Sequence, residues 1–269
     1  MTSQPTSPSH RFKVSEQRGS GLSIEVYEVA SLRRFVQGTG QPGQQAGQGL
    51  VESYQATGQR QVRFVLEGSG ILLEPGAFLY SRGNLTTAVR QHERGNLLSR
   101  ALRSAGSGES AFATSFEGRG EVWTELTHQH FVIAELGPGE DFLLDDRAFF
   151  ACQQGVSLST HLHTSLAGAL SGNGLAQPRL SGQGLFVVES PVPAEEIEVV
   201  ELRGDEMTLD GDLLLMYSAA LQVQVRPLVP GLRNALRSGE GLVYALRGHG
   251  QVFFTPTHKR LSVAAAGTR

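Results

Sequence analysis

The chain has 269 residues, a formal charge of −3 at neutral pH and an apolar content of 39%, so it can bury a core as one large domain or as two or three small ones. The slightly acidic balance makes nucleic-acid binding an unfavoured function, because such binding requires a basic surface. The chain also contains 33 glycines. Glycines between short apolar runs are typical of strands joined by tight turns, so we expect β structure.

The N-terminal ten residues, Met-Thr-Ser-Gln-Pro-Thr-Ser-Pro-Ser-His, lack the basic and apolar segments of a signal peptide, and we expect a disordered tail there. No apolar run approaches the ~18 residues of a membrane span. The single cysteine, Cys152, cannot form an intramolecular disulfide and implies no oxidising compartment. These features predict a cytoplasmic protein with no transmembrane segment, and they leave peripheral contact with a membrane open.

The first predicted strand is Leu22–Val29, in which Leu22, Ile24 and Val26 share one face. Residues 37–49 are rich in glutamine and glycine, and this composition predicts a flexible loop because it offers little apolar surface to bury. We therefore interpret residues 1–60 as a leader that contains a tail, one or two strands and this loop.

Four landmarks then recur three times in the same order. They are an apolar strand that opens at Val62, Phe131 and Ile197, an apolar segment near residues 71–80, 142–150 and 207–216, an Ala-Leu pair that ends at Leu102, Leu170 and Leu236, and a Gly-x-Gly pair that begins at Gly118, Gly182 and Gly248. The recurrence predicts three copies of a repeat of about 66 residues.

The predicted fold is all-β, with three repeated β-sandwich units in a pseudo-threefold arrangement similar to a double-stranded β-helix. The predicted units span residues 61–128, 129–193 and 194–257, form one domain, and are followed by a tail at 258–269. Pro75-Gly76 predicts a type II turn and Asp210-Gly211 a hairpin turn. The repeat register requires Phe64, Ile133 and Val199, or an immediate neighbour of each, to be buried.

The segment Glu74-Pro-Gly-Ala77 with the following Phe-Leu-Tyr, the leucine-rich connector, Ser-Gly-Glu-Ser at 107–110 and Gly-x-Gly-x-Val at 118–122 resemble the family named altered inheritance of mitochondria, number twenty-four. The resemblance covers roughly residues 50–256. It implies three fused sandwich units similar to those of the tryptophan-attenuation RNA-binding protein. It implies no cofactor and no catalytic residues.

Histidine spacing is the feature that most favours an enzyme. His128 and His130, like His161 and His163, are two residues apart, which places both imidazoles on one face of a strand. Neutral imidazole is a ligand for Zn, Fe, Ni or Cu, and Glu135 follows the first pair as in half of a cupin metal motif. The alternative is ordinary polar surface, and we expect no metal site.

Other chemical motifs are weaker. Gly38-Thr-Gly40-Gln-Pro-Gly43 has dinucleotide-like spacing, but we predict neither a strand before it nor a helix after it, so we interpret it as a loop. Cys152 lies in an apolar run and is expected to be buried and inert. Two charged groups are interpreted as solvated surface, namely the acidic residues Glu140, Asp141, Asp145 and Asp146 and the basic residues Arg90, Arg94, Arg100, Arg103, Arg233 and Arg237.

Two hypotheses remain from different functional classes. The first is a non-catalytic β scaffold or binding module for an unknown protein or small-molecule partner, with no catalytic, cofactor or metal residues assigned. The second is a metal-dependent, cupin-like enzyme that uses the His-x-His pairs. Self-association through the apolar connectors Leu97–Leu102, Leu166–Leu170 and Leu232–Leu236 would make the protein a homo-oligomer.

Overall fold

The computed structural model describes residues 10–39, 47–91, 112–145, 147–163, 176–227 and 242–257. Within these residues the protein is built from β-strands and two short 3-10 turns, so the predicted all-β class is confirmed. The strands, in chain order, are β1 (His10–Gly19), β2 (Leu22–Thr39), β3 (Gly47–Leu73), β4 (Phe78–Gln91), β5 (Phe112–Thr124), β6 (His130–Leu136), β7 (Phe142–Leu144), β8 (Phe149–Gln153), β9 (Val156–Leu162), β10 (Ala176–Gly182), β11 (Gly184–Ser190), β12 (Glu198–Asp210), β13 (Leu214–Ser218), β14 (Gln222–Pro227) and β15 (Leu242–Phe254). The 3-10 turns are Ala194–Glu196 and Gly211–Leu213.

The strands form two antiparallel sheets. The eight-stranded sheet runs β1-β2-β3-β8-β11-β6, and β5 joins it by pairing with both β3 and β4. The seven-stranded sheet runs β12-β15-β13-β7-β10-β9, and β14 pairs with β15. Strands from the second predicted unit therefore occur in both sheets.

Alternation of side chains decides which face of the first sheet is buried. Ile24 pairs with Phe64, and Phe64 pairs with Val122, so three fully buried side chains form one row across β2, β3 and β5. The next row, on the other face, contains Glu25 and Arg63. Because strand residues alternate between the two faces of a sheet, one face of this sheet packs against the core and the other carries polar side chains.

The core consists of three hydrophobic clusters that cross the boundaries between the predicted units. The first cluster includes Phe150 and Leu185 from the second unit beside Phe64 from the first. The second cluster includes Leu215 and Met216 from the third unit. The units are therefore packed against one another and share their cores.

The predicted loop at 37–49 is wrong at both ends. β2 continues to Thr39 and β3 begins at Gly47, with Gln37 paired to Gly49 and Thr39 paired to Gly47. A ladder of backbone hydrogen bonds does not depend on side-chain composition, so a Gln/Gly-rich segment can pair where a hairpin already aligns it. A strand therefore leads directly into Gly38, contrary to the sequence interpretation.

Several local contacts recur in all three predicted units. The leucines Leu66, Leu136 and Leu202 are each buried and lie opposite the second glycine of a Gly-x-Gly pair, namely Gly120, Gly184 and Gly250. One backbone hydrogen bond also recurs, from the Glu125 N–H to the Ala77 carbonyl (2.8 Å), from Glu189 to Ala148 (2.9 Å) and from Thr255 to Leu213 (2.9 Å). The threefold repeat and its pseudo-threefold arrangement remain predictions, which these recurrences support.

The individual expectations for the repeat have mixed outcomes. Phe64 is fully buried and Ile133 packs partly buried against the first cluster. Val199 is 52% exposed, and its neighbour Val200 packs against the third cluster instead. A turn does form at Pro75-Gly76, with Gly76 at φ 86°. Asp210 instead caps the 3-10 turn Gly211–Leu213, so the predicted hairpin turn is wrong there.

Candidate binding surface

A run of three consecutive large apolar side chains is exposed at the start of β4. Phe78, Leu79 and Tyr80 are exposed by 41%, 46% and 37% of their surface. Among the described strands, β4 pairs with β5 and with no other, so no described strand covers its second edge, which we call the open edge. An uncharged, apolar strand edge is a site at which another strand can add.

Tyr80 extends this edge onto an aromatic cluster around Trp123. The Tyr80 ring stacks on Trp123 at a centroid distance of 6.0 Å, and the Tyr27 ring also contacts Trp123, at a centroid distance of 5.2 Å. The guanidinium carbons of Arg11 and Arg63 lie 5.0 and 5.5 Å from the centre of the indole. Such cation–π contacts contribute about 0.5–2 kcal/mol each, so they hold the indole in place beside the open edge.

Trp123 nevertheless has a hydrogen-bond donor that no described residue uses. It is 6% exposed, and its buried Nε1–H has no hydrogen-bond partner among the described residues. A buried indole N–H usually finds an acceptor. The cluster therefore combines apolar area with an unused donor.

Ion pairs on the same face lock Arg63 in place. Arg63 contacts Glu25 at 3.0 Å and Glu121 at 2.6 Å. Burial would raise the pKa of Glu25, but hydrogen bonds from Tyr27 and Arg63 outweigh it and leave that pKa lowered. Burial alone would lower the pKa of Arg63, but the carboxylates of Glu121 and Glu25 outweigh it, and the pKa is raised above its usual range. These shifts favour the charged forms of Glu25 and Arg63, so the ion pair between them persists at neutral pH.

The His161–His163 pair is brought together as predicted. Their ring centroids are 4.9 Å apart, although β9 ends at Leu162 and His163 lies just beyond the strand. His163 Nε2 lies 2.6 Å from Gln177 Oε1, which also accepts a hydrogen bond from the Tyr217 hydroxyl at 2.6 Å. An amide oxygen only accepts, so Nε2 of His163 carries the proton.

Among the described residues, this histidine pair belongs to no larger group of metal-binding side chains. Burial, His163 and Arg179 lower the pKa of His161, which keeps its imidazole neutral at neutral pH. Across the described ranges no group of three or more His, Cys, Asp and Glu side chains is placed to hold a metal ion. His163, Gln177 and Tyr217 form a hydrogen-bonded cluster, and His161 contacts it through the ring of His163. Any metal there would need further ligands.

The His128–His130 pair does not share a strand, so that prediction is wrong. β6 begins at His130, and His128 lies exposed in the bend before it. Burial and the charge of Arg60 lower the pKa of His130. Glu135 is exposed on the far part of β6.

The acidic residues have separate structural partners. Glu140 accepts a hydrogen bond from the Gly137 N–H at 2.8 Å, and Asp141 forms an ion pair with Arg179. Asp145 is almost fully buried, and burial raises its pKa although the Arg147 N–H lowers it in part. The interpretation of these residues as solvated surface is therefore wrong for Asp145.

Cys152 is buried, as expected, and burial raises its pKa to about 12. The remaining motif residues lie outside the described residues or their described side chains: Gly40, Gly43, Asp146, the six arginines Arg90, Arg94, Arg100, Arg103, Arg233 and Arg237, and the connectors Leu97–Leu102, Leu166–Leu170 and Leu232–Leu236.

Sequence reasoning missed the β4 edge and the Trp123 cluster. Phe78-Leu79-Tyr80 has the same apolar character as Phe149-Phe150 and Leu214-Leu215, which are buried. The signal that could have found it is position in the predicted repeat, because the equivalent strands β8 and β13 pair with a strand from the preceding predicted unit.

Comparisons with known proteins identify relatives of the chain. The family model described as "Mitochondrial biogenesis AIM24" matches residues 54–257. An uncharacterised protein of Streptococcus pyogenes serotype M6, M6_Spy0233, is 27% identical over 195 residues, which cover 69% of this chain and 76% of that protein. The crystal structure of protein SPYM3_0169 from Streptococcus pyogenes is similar with a TM-score of 0.54 and 23% identity, covering 84% of this chain and 94% of that one. We find no helix among the described residues with the length and apolar character needed to cross a bilayer.

Proposed function

The chain belongs to the mitochondrial biogenesis AIM24 family, and we propose that, of the two non-catalytic roles of β scaffold or binding module, it is a binding module. The observation that carries this proposal is the open β4 edge, where Phe78, Leu79 and Tyr80 are exposed beside Trp123. A protein partner is favoured over a small molecule, because an open strand edge offers backbone hydrogen bonds and apolar contact to another strand. Nucleic acid is not part of the proposal.

Site-specific photo-crosslinking tests this function. A photoreactive phenylalanine analogue in place of Leu79 should form a discrete adduct with a partner inside cells. The matched control replaces Val89, which lies on the same strand and is 68% exposed, and should form none. Absence of an adduct at Leu79, or equal adducts at both positions, would contradict the proposal.

A metal-dependent enzyme is the second candidate, favoured by the contact between the rings of His161 and His163. Elemental mass spectrometry of untagged protein decides between the two functions. A binding module predicts no stoichiometric transition metal. About one metal per chain, lost in the His161→Ala, His163→Ala double variant, would favour the enzyme.

The location that we propose is the cytoplasm. The thiol of Cys152 is buried and free, so the protein needs no oxidising compartment. Cell fractionation with antibody detection tests this location, and recovery in an organelle or membrane fraction would contradict it.

A further inference from the structure

The chain contains the same junction between strands twice. In the first junction, Ile71–Leu73 of β3 pairs with Ala151–Gln153 of β8. In the second, Phe142–Leu144 of β7 pairs with Met216–Ser218 of β13. Each junction thus joins one predicted unit to the next by an antiparallel ladder.

The backbone contacts that flank the two junctions are also the same. The Glu74 N–H donates to the Phe150 carbonyl at 2.8 Å, and the equivalent Asp145 N–H donates to Leu215 at 2.9 Å. At the other end of the ladders, Gln154 donates to Gly70 and Ala219 donates to Asp141, both at 2.8 Å. The junction is therefore a repeated, specific interface rather than two unrelated contacts.

One half of this junction recurs in β4, where no described strand pairs with it. Each predicted unit ends in a strand, β5, β11 or β15, and one segment in each unit pairs with that strand with a one-residue register shift. The segments are Phe78–Arg82, Phe149–Gln153 and Leu214–Ser218, and the shifts occur at Leu79, Phe150 and Leu215. Phe149–Gln153 and Leu214–Tyr217 are buried by the preceding unit, whereas Phe78, Leu79 and Tyr80 are exposed. We call Phe78–Arg82 the β4 edge.

The other half recurs at the opposite end of the chain, in β12. Met207–Leu209 is the segment of the third predicted unit that is equivalent to Ile71–Leu73. Each segment lies shortly after a glycine, Gly204 or Gly68, at which the strand shifts register opposite a Gly-x-Gly pair. Among the described strands β12 pairs with β15 alone, and Thr208 is exposed. We call Met207–Leu209 the β12 edge.

We propose that the β4 edge of one molecule pairs with the β12 edge of a second copy, forming the same junction a third time between chains. The register follows from the two junctions within the chain: Met207 opposite Arg82, Thr208 opposite Ser81 and Leu209 opposite Tyr80. This proposal rests on the proposed function, because it names the partner of the binding module.

A second copy is the occupant that the structure favours. Both halves of the interface are present on one chain, and each half is already used with its complement elsewhere in the chain. The halves are unlike, so the contact is heterologous and the assembly is head to tail. Phe78–Ser81 carries no charge or proline of the kind that protects strand edges against such pairing.

Two single variants test the proposal on the full chain. Leu79→Lys disables the β4 edge and leaves the β12 edge intact, and Thr208→Lys does the reverse. In sedimentation equilibrium across the micromolar range, the unmodified chain should exceed the 28.9 kDa mass of one chain, and each variant alone should be monomeric. Mixing the two variants should restore association, limited to a dimer, because one intact junction is regained. Val89→Lys is the control and should associate normally.

A second measurement needs no variant. Trp123 is the single tryptophan and contacts Tyr80, so its emission should shift with protein concentration over the range in which the mass rises. A monomer at every concentration, or variants that associate normally, or a mixture that stays monomeric would overturn the head-to-tail contact. A crosslinked adduct at Leu79 with a different protein would preserve the proposed function while refuting this partner, and no adduct at all would remove both.

Discussion

Gly118→Ala tests the strand register at the first Gly-x-Gly pair. Gly118 has φ 128°, and an added Cβ would overlap the carbonyl oxygen of Asn84 on the paired strand β4. Positive φ costs a residue with a Cβ about 1–2 kcal/mol, and forcing an atom into a packed site costs about 1–3 kcal/mol more. The expected loss of unfolding free energy is therefore about 2–5 kcal/mol.

The matched control is Gly76→Ala. Gly76 also has positive φ, 86°, but an added Cβ there meets no atom within 4 Å, so only the conformational cost of about 1–2 kcal/mol applies. Urea denaturation followed by Trp123 fluorescence measures both variants. Thermal unfolding should show a fall of about 2–4 °C for each kcal/mol. If Gly118→Ala is no less stable than Gly76→Ala, the close contact between β4 and β5 is wrong.

Three further predictions concern charge and burial. Arg63→Met should lower stability by about 1–3 kcal/mol in chemical denaturation, because Glu25 and Glu121 lose their shared cation and keep only Lys13 and Arg82 as ion-pair partners among the described residues; an unchanged midpoint would contradict this. Cys152, whose pKa is raised to about 12 by burial, should react with a thiol reagent only at the rate of unfolding; fast labelling of native protein would show that the thiol is accessible. The folded-state pKa of His161 lies below its ordinary value of 6.5 because of burial, His163 and Arg179, so its contribution to stability is complete at higher pH and is lost as pH falls through 6.5. His161→Gln should therefore flatten the loss of stability between about pH 7 and about pH 5, and an equally steep loss in the variant would refute the assignment.

The fold class followed from sequence because glycine spacing and short apolar runs are local signals. β1 was harder, since His10–Gly19 is largely polar and pairs with one neighbour, β2, in the sheet. The pairing of Gln37 with Gly49 was missed because backbone ladders form without apolar side chains. Val199 was expected inside, but β12 is an outer strand, so part of its surface faces water.

The candidate site was less predictable than the fold. The contact between His161 and His163 followed from their spacing, but their hydrogen-bonding partners Gln177 and Tyr217 come from distant parts of the chain. The exposure of Leu79 depends on which neighbour lies beside its strand, and the equivalent Phe150 is buried. Burial set by another unit cannot be deduced from the residues of the strand itself.

The shared clusters have a consequence for how such a chain could arise. Phe150 and Leu185 complete a core whose other members include Phe64, so a unit cut at residue 128 would leave these faces open to water. If the predicted units descend from one free-standing ancestor, that ancestor buried these faces only against other copies of itself, and such an association weakens on dilution. Covalent linkage makes the contact intramolecular, so the fraction of chains with a complete core does not depend on the protein concentration.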